Sequence, residues 1–400
     1  MSEWKKVKLG ECCEITSSKR IFLSDYVPVG IPFYRSKEIA EMQKGESISD
    51  PLFISNDKYE EIKCKFGIPQ KGDLLLTAIG ATLGIPFVIK NNLPFYFKDG
   101  NLIWFKNFND LLDSSFLYTW MCSSFGYQSM QNIAIGSAQK ALTISALKDL
   151  SLIVPPIDIQ HRIATILSRY DSLIENYQKQ IKLLEEAAQR LYKEWFVDLH
   201  FPGHENTKIV DGVPEGWEKK PISQLGEYLN GFAFKPSDWQ ESGKPIIKIK
   251  EMGNGVSNDT PRNNGERVPA KYLVKAGDLL FSWSATLMVI VWSGEEGWLN
   301  QHLFKVTPAK GIGREFLLQS ISHTIKEFLN LTTGSTMKHI QRNKLDQVFV
   351  NVPNDKIMKL YDHAAEKMRD EILHLSSQIR LLTEARDRLL PKLMSGEIAV

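Results

Sequence analysis

Apolar residues recur in one stretch of this chain, between Ile163 and Trp195, at steps that alternate between four and three. This spacing places them along one side of a helix, as the a and d positions of a coiled coil. The positions are Ile163, Leu167, Tyr170, Ile174, Tyr177, Ile181, Leu184, Ala188, Leu191 and Trp195. We call this stripe the first seam. It predicts a helix whose apolar side needs a partner.

A second seam with the same spacing begins 198 residues later, at Tyr361. Its positions are Tyr361, Ala365, Met368, Ile372, Leu375, Ile379, Leu382, Arg386, Leu389 and Leu393, of which only Arg386 is not apolar. No proline or glycine interrupts residues 163–195 or 361–390, so we expect two continuous helices, each about 48 Å long over its seam. Two such helices most economically bury their seams against each other.

The rest of the chain also contains an internal sequence repeat. Gly72-Asp73-Leu74-Leu75 returns as Gly277-Asp278-Leu279-Leu280, and Ala81-Thr82-Leu83 returns as Ala285-Thr286-Leu287. From Gly136 onward the offset settles at 198 residues and continues without a gap into the second seam. We therefore predict two copies of one unit, each with a globular part followed by a long helix.

The predicted fold class is α/β (α+β), with two duplicated globular domains joined by two long coiled-coil helices. Short apolar runs such as 74–79 and 279–283 predict buried strands, while 116–130 and 315–331 predict helices. The second long helix is expected to end at its proline and glycine, Pro391 and Gly396, because both residue types interrupt helices. The predicted divisions are globular domains at 1–155 and 217–353, helical regions at 156–200 and 354–400, and a linker at 201–216.

The composition is that of an ordinary globular protein. Apolar residues make up 43% of the chain and charged residues 24%, and the formal net charge is only +2, so any nucleic-acid surface has to be local. No apolar run approaches the ~18 residues of a membrane span, and the first residues lack the apolar core of a signal peptide. The four cysteines form no C-x-x-C pair. We expect a cytoplasmic protein with reduced thiols and no membrane association.

Motifs for catalysis and for metal binding are weak. The chain has no Gly-x4-Gly-Lys-Ser/Thr phosphate loop and no Gly-x-Gly-x-x-Gly segment. His200 and His204 are four residues apart, but the Pro202-Gly203 pair between them excludes a shared helix face. The sequence therefore predicts no catalytic residue, no metal ligand and no cofactor bound by this chain.

Residues suited to binding DNA occur in loops. Each half has a Gly-Ser loop with a lysine three residues after the serine, and such a loop offers amides, a hydroxyl and a cation to phosphate oxygens. Gln139 and His339 carry side chains that read base edges. The candidates are Ser137, Gln139, Lys140, Ser335, Thr336, Lys338 and His339 in these two loops, and Lys19, Arg20, Arg35, Lys37, Lys235, Lys248, Lys250, Arg262 and Asn263 elsewhere. For each candidate, the alternative is a solvated loop residue without a ligand.

Four segments, taken together, resemble the specificity subunit of type I restriction–modification systems, and the resemblance covers essentially the whole chain. They are residues 155–167 (Pro-Pro-Ile-x-x-Gln-x-x-Ile-Ala-x-Ile-Leu), 191–203 (Leu-Tyr-Lys-Glu-Trp-Phe-Val-Asp, then Phe-Pro-Gly), 212–217 (Gly-x-Pro-x-Gly-Trp) and 389–398 (Leu-Leu-Pro-Lys-Leu-Met-Ser-Gly-Glu-Ile). One departure is that Pro353-Asn354-Asp355 stands where a second Pro-Pro-x-x-x-Gln is expected. This leaves the start of the second helix open.

The resemblance implies a division of labour between this chain and its partners. In that family two target-recognition domains alternate with two helical regions that pack antiparallel, and each domain reads one half of a split DNA target. It implies double-stranded DNA, two adenine methyltransferase subunits and two motor-nuclease subunits as partners of a non-catalytic chain. S-adenosylmethionine, ATP and magnesium are then expected in the partner subunits.

Two other classes stay open from the sequence. One is the specificity subunit of a type IIB-like methyltransferase–nuclease with a bipartite target, which the sequence of the partner would distinguish. The other is a duplicated scaffold that binds no DNA, which a DNA-binding measurement over a series of salt concentrations would distinguish.

Overall fold

The computed structural model describes residues 4–43, 45, 48–136, 139–330 and 342–400. The chain forms two compact units, residues 1–175 with 381–400 and residues 176–380. The division falls within the long helices, so each unit contains one globular part and a portion of both helices. Within the described ranges no helix is both long and apolar enough to cross a membrane.

The first globular part contains short strands and short helices. Its strands are β1 (Lys5–Lys8), β2 (Glu14–Thr16), β3 (Tyr26–Val27), β4 (Ile31–Tyr34), β5 (Leu52–Ile54), β6 (Leu74–Thr77), β7 (Pro86–Val88), β8 (Tyr96–Phe97), β9 (Leu102–Lys106) and β10 (Ser151–Val154). Its helices are α1 (Leu9–Cys12), α2 (Ser36–Gln43), α3 (Asn56–Phe66), α4 (Ser114–Cys122), α5 (Ser124–Ile133) and α6 (Ile144–Asp149).

Two four-stranded sheets organise this part. The first is antiparallel, in the order β2-β9-β6-β7, and the second has the order β3-β5-β4-β8 with β4 and β8 parallel. All four residues of β6 are buried, as expected for the apolar run that follows Gly72-Asp73. The ladder of β1 with β10 closes this part just before the first long helix.

The helix predicted over 116–130 is two helices, because Ser123 interrupts it. The Ser123 hydroxyl accepts a hydrogen bond from the Gly126 amide at 3.0 Å and so caps the start of α5. The same hydroxyl donates to the Trp120 carbonyl at 2.6 Å, which satisfies the end of α4. The single-helix prediction was wrong because an apolar period continues across a capping serine without a visible gap.

The first long helix, α7 (Ile157–Tyr192), continues into a π-helical turn at Lys193–Val197. The segment after it contains the hairpin strands β11 (Ile209–Val210) and β12 (Val213–Pro214). The two residues between these strands, Asp211 and Gly212, have φ of 51° and 76°. Positive φ at both positions is typical of the type I′ turn that suits the twist of a two-residue hairpin.

The second globular part precedes the second long helix. Its strands are β13 (Glu218–Pro221), β14 (Gly226–Asn230), β15 (Lys244–Ile247), β16 (Arg262–Asn263), β17 (Leu273–Val274), β18 (Leu279–Ser282), β19 (Met288–Val291), β20 (Gly297–Leu299), β21 (Leu303–Pro308) and β22 (Phe349–Val352). The helices are α8 (Ile249–Asn254), α9 (Arg314–Asn330) and the long α10 (Asp355–Met394).

The two globular parts share their sheet topology. The order β14-β21-β18-β19 repeats β2-β9-β6-β7, and the ladder of β13 with β22 repeats that of β1 with β10. Strand β15 pairs antiparallel with β16 and parallel with β20, as β4 does with β5 and β8. The predicted mixed α/β class and the internal duplication are therefore confirmed.

In the first unit the long helices pack antiparallel. Ile163 and Leu167, early in α7, share one hydrophobic core with Leu390 and Leu393, late in α10. One turn beyond Leu167 along α7, Asp171 Oδ1 lies 2.8 Å from Nη1 of Arg386. The one charged position in the second seam is thus paired across the helix contact.

In the second unit the antiparallel contact is aromatic. The Tyr361 ring, fully buried near the start of α10, lies with its centroid 4.8 Å from that of Phe196 and 5.8 Å from that of Trp195. Ala365, one turn later, belongs to the same core as Leu191. No position of either seam is exposed.

The C-terminal end of α10 differs from the prediction, and its N-terminal end shows where the second long helix begins. The helix runs through Pro391 to Met394, so the proline does not end it as predicted, whereas Gly396, the other predicted stop, lies two residues past the observed end. The Pro391 carbonyl accepts from the Ser395 amide at 2.9 Å, and burial of Leu390 and Leu393 keeps this last turn helical. At the start, the Asn354 side chain accepts from the Ile357 amide at 3.1 Å and caps the helix.

Candidate nucleic-acid interface

The loop that follows α5 in the first unit is held against the turn that follows β6. Ala141 exchanges backbone hydrogen bonds with Ile135 at 2.8 and 2.9 Å, and the Gly80 amide donates to the Lys140 carbonyl at 3.3 Å. Gly136 has a φ of 104°, and a Cβ there would lie 2.4 Å from the Gln139 carbonyl oxygen. Glycine is therefore required for the loop to fold back in this way.

This arrangement leaves Gln139 and Lys140 exposed at the rim of a cavity of ≈ 510 Å³. The described residues that line it are Gly80, Ala81, Leu83, Tyr127, Gln131, Gln139 and Lys140. We call this the glutamine cavity. The repeated Ala-Thr-Leu segment and the Gly-Ser loop are each recognisable in the sequence, but no sequence pattern connects them to Tyr127 or Gln131.

Five other loop candidates lie outside the described residues. They are Ser137 in the first half and Ser335, Thr336, Lys338 and His339 in the second. Their proposed contacts with DNA therefore stay predictions.

A second pair of candidates occupies matched positions at the starts of short helices. Arg35 precedes α2 and Lys248 precedes α8, 213 residues apart. Each donates its backbone amide to a buried glutamate three residues later, at 2.7 Å to Glu38 and at 3.1 Å to Glu251. In both turns the carboxylate of the third helical residue therefore accepts from the backbone amide at the helix start, which is the glutamate half of a capping box.

The two side chains at these starts differ in their surroundings. The Arg35 guanidinium donates to the Glu38 carboxylate, with Nε 3.1 Å from Oε1, and also lies 3.6 Å from the Asp50 carboxylate. Burial alone would raise the pKa of Glu38, but hydrogen bonds from the Arg35 side chain and backbone outweigh it, so the pKa lies below its ordinary value. The Lys248 amine instead lies over the Trp239 ring, 4.4 Å from its centroid.

The remaining basic candidates of the first unit lie at its surface, each with a local contact. The Lys19 amine lies over the Phe66 ring at 4.6 Å, and its backbone amide donates to the Tyr96 hydroxyl at 2.7 Å. Arg20 pairs with Asp99 at 3.0 Å, and Lys37 with Glu41 at 3.8 Å. Such exposed pairs hold weakly and can exchange for phosphate.

In the second unit the candidates divide into exposed and structural residues. Lys235 and Lys250 are exposed, while Arg262 is half-buried and pairs with Glu295 at 3.1 Å. Asn263 is buried; its amide nitrogen donates to the Asp238 carbonyl at 2.7 Å and its oxygen accepts from the Gly265 amide at 2.8 Å. The expectation that Asn263 is available to DNA is corrected, because both ends of its amide already hold the loop together.

Comparisons with known proteins agree with this duplicated architecture. A family model described as the type I restriction modification DNA specificity domain matches residues 1–186 and again 214–364. The MjaIX specificity subunit of a type I restriction enzyme from Methanocaldococcus jannaschii is 25% identical over 421 residues, which cover 100% of this chain and 94% of the relative. The HindI specificity subunit from Haemophilus influenzae is 22% identical over 471 residues, with both chains fully covered.

A solved structure shows the same fold. The S subunit of a type I restriction–modification system from M. genitalium superposes with a TM-score of 0.58 at 16% identity, over 98% of this chain and 96% of the other. Fold and motifs thus define a duplicated DNA-specificity protein. The chain belongs to the type I restriction–modification DNA specificity family, and the type IIB-like and scaffold alternatives are not favoured.

Proposed function

We propose that this chain is the non-catalytic specificity subunit of a type I restriction–modification enzyme, in which each globular half reads one half of a bipartite DNA target. The observation that carries this proposal is the repetition of one sheet framework with a basic residue at the same strand-to-helix turn, Arg35 in one half and Lys248 in the other. A framework used twice with different side chains at matched positions suits two related but different half-sites.

The proposal assigns chemistry to the partners rather than to this chain. Two adenine methyltransferase subunits would bind S-adenosylmethionine, and two motor-nuclease subunits would use ATP and magnesium. The family match and the specificity-subunit relatives support this assembly. The small net charge of +2 fits a chain that binds duplex DNA tightly only together with these partners.

The two long helices are proposed to set the number of unread base pairs between the half-sites. The seams keep an unbroken four–three spacing, and a length of about 48 Å corresponds to roughly 14 base pairs at ~3.4 Å each. A helix pair resists compression along its length, so its length is a suitable measure of distance.

The test lengthens both helices by one heptad. Residues 174–180 are duplicated after position 180 and residues 372–378 after position 378, which adds a and d positions in register on both helices. Seven residues add about 10.5 Å, so the unread gap is expected to grow by about three base pairs while both half-sites stay the same. Methylation-sensitive long-read sequencing of cells that carry the system determines the gap and both half-site sequences.

The matched control inserts the heptad into α7 alone, which shifts one seam against the other and is expected to abolish methylation. If the double insertion methylates the original target with its original gap, the helices do not set the spacing. If wild-type protein directs methylation to no bipartite target, the proposed specificity role is wrong.

A further inference from the structure

We propose that the glutamine cavity is a base-reading site particular to the first half, with Tyr127 and Gln131 as specificity-determining residues beside Gln139. This inference rests on the proposed function, because it takes duplex DNA as the ligand. It names the residues of one half that contact base edges, and it assigns them to one half-site only.

The floor of the cavity is a turn built to let side chains lie close to it. Gly80 and Gly84 both have positive φ, 81° and 90°. A Cβ on Gly80 would lie 3.3 Å from the Gln139 amide nitrogen, and one on Gly84 would lie 3.4 Å from the Tyr127 ring. The buried Thr77 hydroxyl accepts from the Ile85 amide at 2.8 Å and anchors the turn. The two glycines thus leave space above the turn, and the Thr77 hydrogen bond holds its backbone in place.

The wall of the cavity is one face of α5. Tyr127 and Gln131 are four residues apart, so they project from the same side of the helix. The adjacent side of the helix is fixed, because Met130 is fully buried and a Cβ on Gly126 would lie 1.9 Å from the Trp120 carbonyl oxygen. Tyr127 nevertheless keeps 48% of its surface exposed. An exposed aromatic ring on a rigid support is suited to contact a ligand from outside.

The chemistry of the lining fits base edges of DNA. Each glutamine amide offers one donor and one acceptor side, the pair that adenine N6 and N7 require in the major groove. The Lys140 amine adds a cation for a phosphate or a guanine edge. Among the described residues that line the cavity there is no carboxylate, so the site is suited to a polyanion.

The matched positions of the second half carry different chemistry. Met130 and Phe328 are both fully buried and 198 residues apart, which aligns α5 with the last part of α9. By this alignment Tyr127 corresponds to Ile325 and Gln131 to Leu329. Both of these apolar side chains pack against the core of the second unit. The amide and ring of the cavity wall are therefore a feature of the first half.

The experiment uses Gln131→Ala in the complete system, with methylation mapped genome-wide by long-read sequencing. We expect discrimination at one position of the first half-site to fall by about tenfold or more, since one good bidentate contact has that effect. The second half-site and the gap are expected to stay unchanged. Gln128→Ala is the matched control, because Gln128 lies on the same helix, outside the cavity, with its amide 2.9 Å from Asn132 Oδ1.

Tyr127→Phe and Gln131→Glu provide further variants that preserve size if the alanine variant does not fold. A carboxylate only accepts hydrogen bonds, so Gln131→Glu is expected to shift the preferred base toward one that presents a donor there. An unchanged first half-site in all cavity variants would overturn the inference while the bipartite target of wild-type protein upholds the proposed function. A uniform loss of binding across all DNA sequences, with a smaller salt dependence, would show a phosphate contact instead and would also overturn it.

Discussion

The two globular halves have the same central sheet strands but different edge strands and loops. Both place a buried strand, β6 or β18, at the same position in an antiparallel sheet. At the edges they diverge, since β3 extends the second sheet of the first half beside β5, whereas β17 extends that of the second half beside β20. The comparison teaches that duplication preserved the core ladders and left the loops and edge strands free to change.

The same lesson holds for single contacts. The carboxylates of Asp73 and Asp278 occupy matched turns, and each accepts a hydrogen bond from the neighbouring strand. The donor is the Trp104 indole at 2.8 Å in the first half and the Lys305 amine at 3.4 Å in the second. The contact is kept although the residue that makes it differs, so the framework constrains geometry more strongly than identity.

The largest expected effect comes from exchanging one half entirely. Replacing residues 1–150 with the corresponding part of another family member should change the first half-site completely and leave the second as it was. The physical reason is that each sheet has its own core within its own unit. Methylome sequencing measures the outcome, and a change in both half-sites would show that the halves do not read independently.

The next effect compares the ion pairs of the two units. Glu315 and Arg369 are both buried, with Oε1 2.5 Å from Nε, so Glu315→Ala should destabilise the second unit by about 1.5–3 kcal/mol, the cost of a buried hydrogen bond between charged groups. Arg369 keeps two other carboxylate partners, Glu366 at 3.1 Å and Asp370 at 3.0 Å. Asp171 and Arg386 in the first unit are partly exposed at 2.8 Å, so Asp171→Ala should cost only ~0–1 kcal/mol.

Hydrogen exchange, measured in denaturant on peptides from each unit, gives the free energy of unfolding of each unit. It therefore separates the effect of Asp171→Ala on the first unit from that of Glu315→Ala on the second. Added salt should weaken only the partly exposed pair, because buried pairs are screened much less. Equal losses for the two variants would contradict the assignment of burial.

An effect of similar size is expected at the matched helix starts. Glu38→Gln removes a charged partner of Arg35 and should cost about 1.5–3 kcal/mol. Glu251→Gln should cost about 0.5–1.5 kcal/mol, because the donors that Glu251 has among the described residues are uncharged, the Lys248 amide and the Thr260 hydroxyl. Protection of each turn in hydrogen exchange measures the difference, and a larger loss at Glu251 would reverse the comparison.

The stability of the first turn should also depend on pH. The pKa of Glu38 is lowered in the folded chain, so its contribution is present above the unfolded pKa of about 4.3 and is lost as the pH falls through the folded value. Hydrogen exchange of the α2 turn between neutral and acidic pH tests this. The Glu38→Gln variant should lack this part of the acid sensitivity.

Much of the architecture was determined by the sequence alone. The seams, the duplication and the buried strands after Gly72-Asp73 and Gly277-Asp278 are repeated local patterns, and periodicity along the chain is enough to reveal them. The helix that continues through Pro391 was missed because burial of its neighbours, which local propensity does not include, decides whether the turn persists.

Only the tertiary structure decided the candidate site. The glutamine cavity brings together Gly80, Tyr127, Gln131 and Gln139, because Ala141 pairs through its backbone with Ile79 and Ile135. No residue spacing in the sequence predicts this long-range contact. Asn263 shows the converse, since an amide that looks available in the sequence is used within its own loop. Side-chain patterns repeat along the chain and can be read there, whereas the surface open to a ligand exists only after long-range contacts have formed.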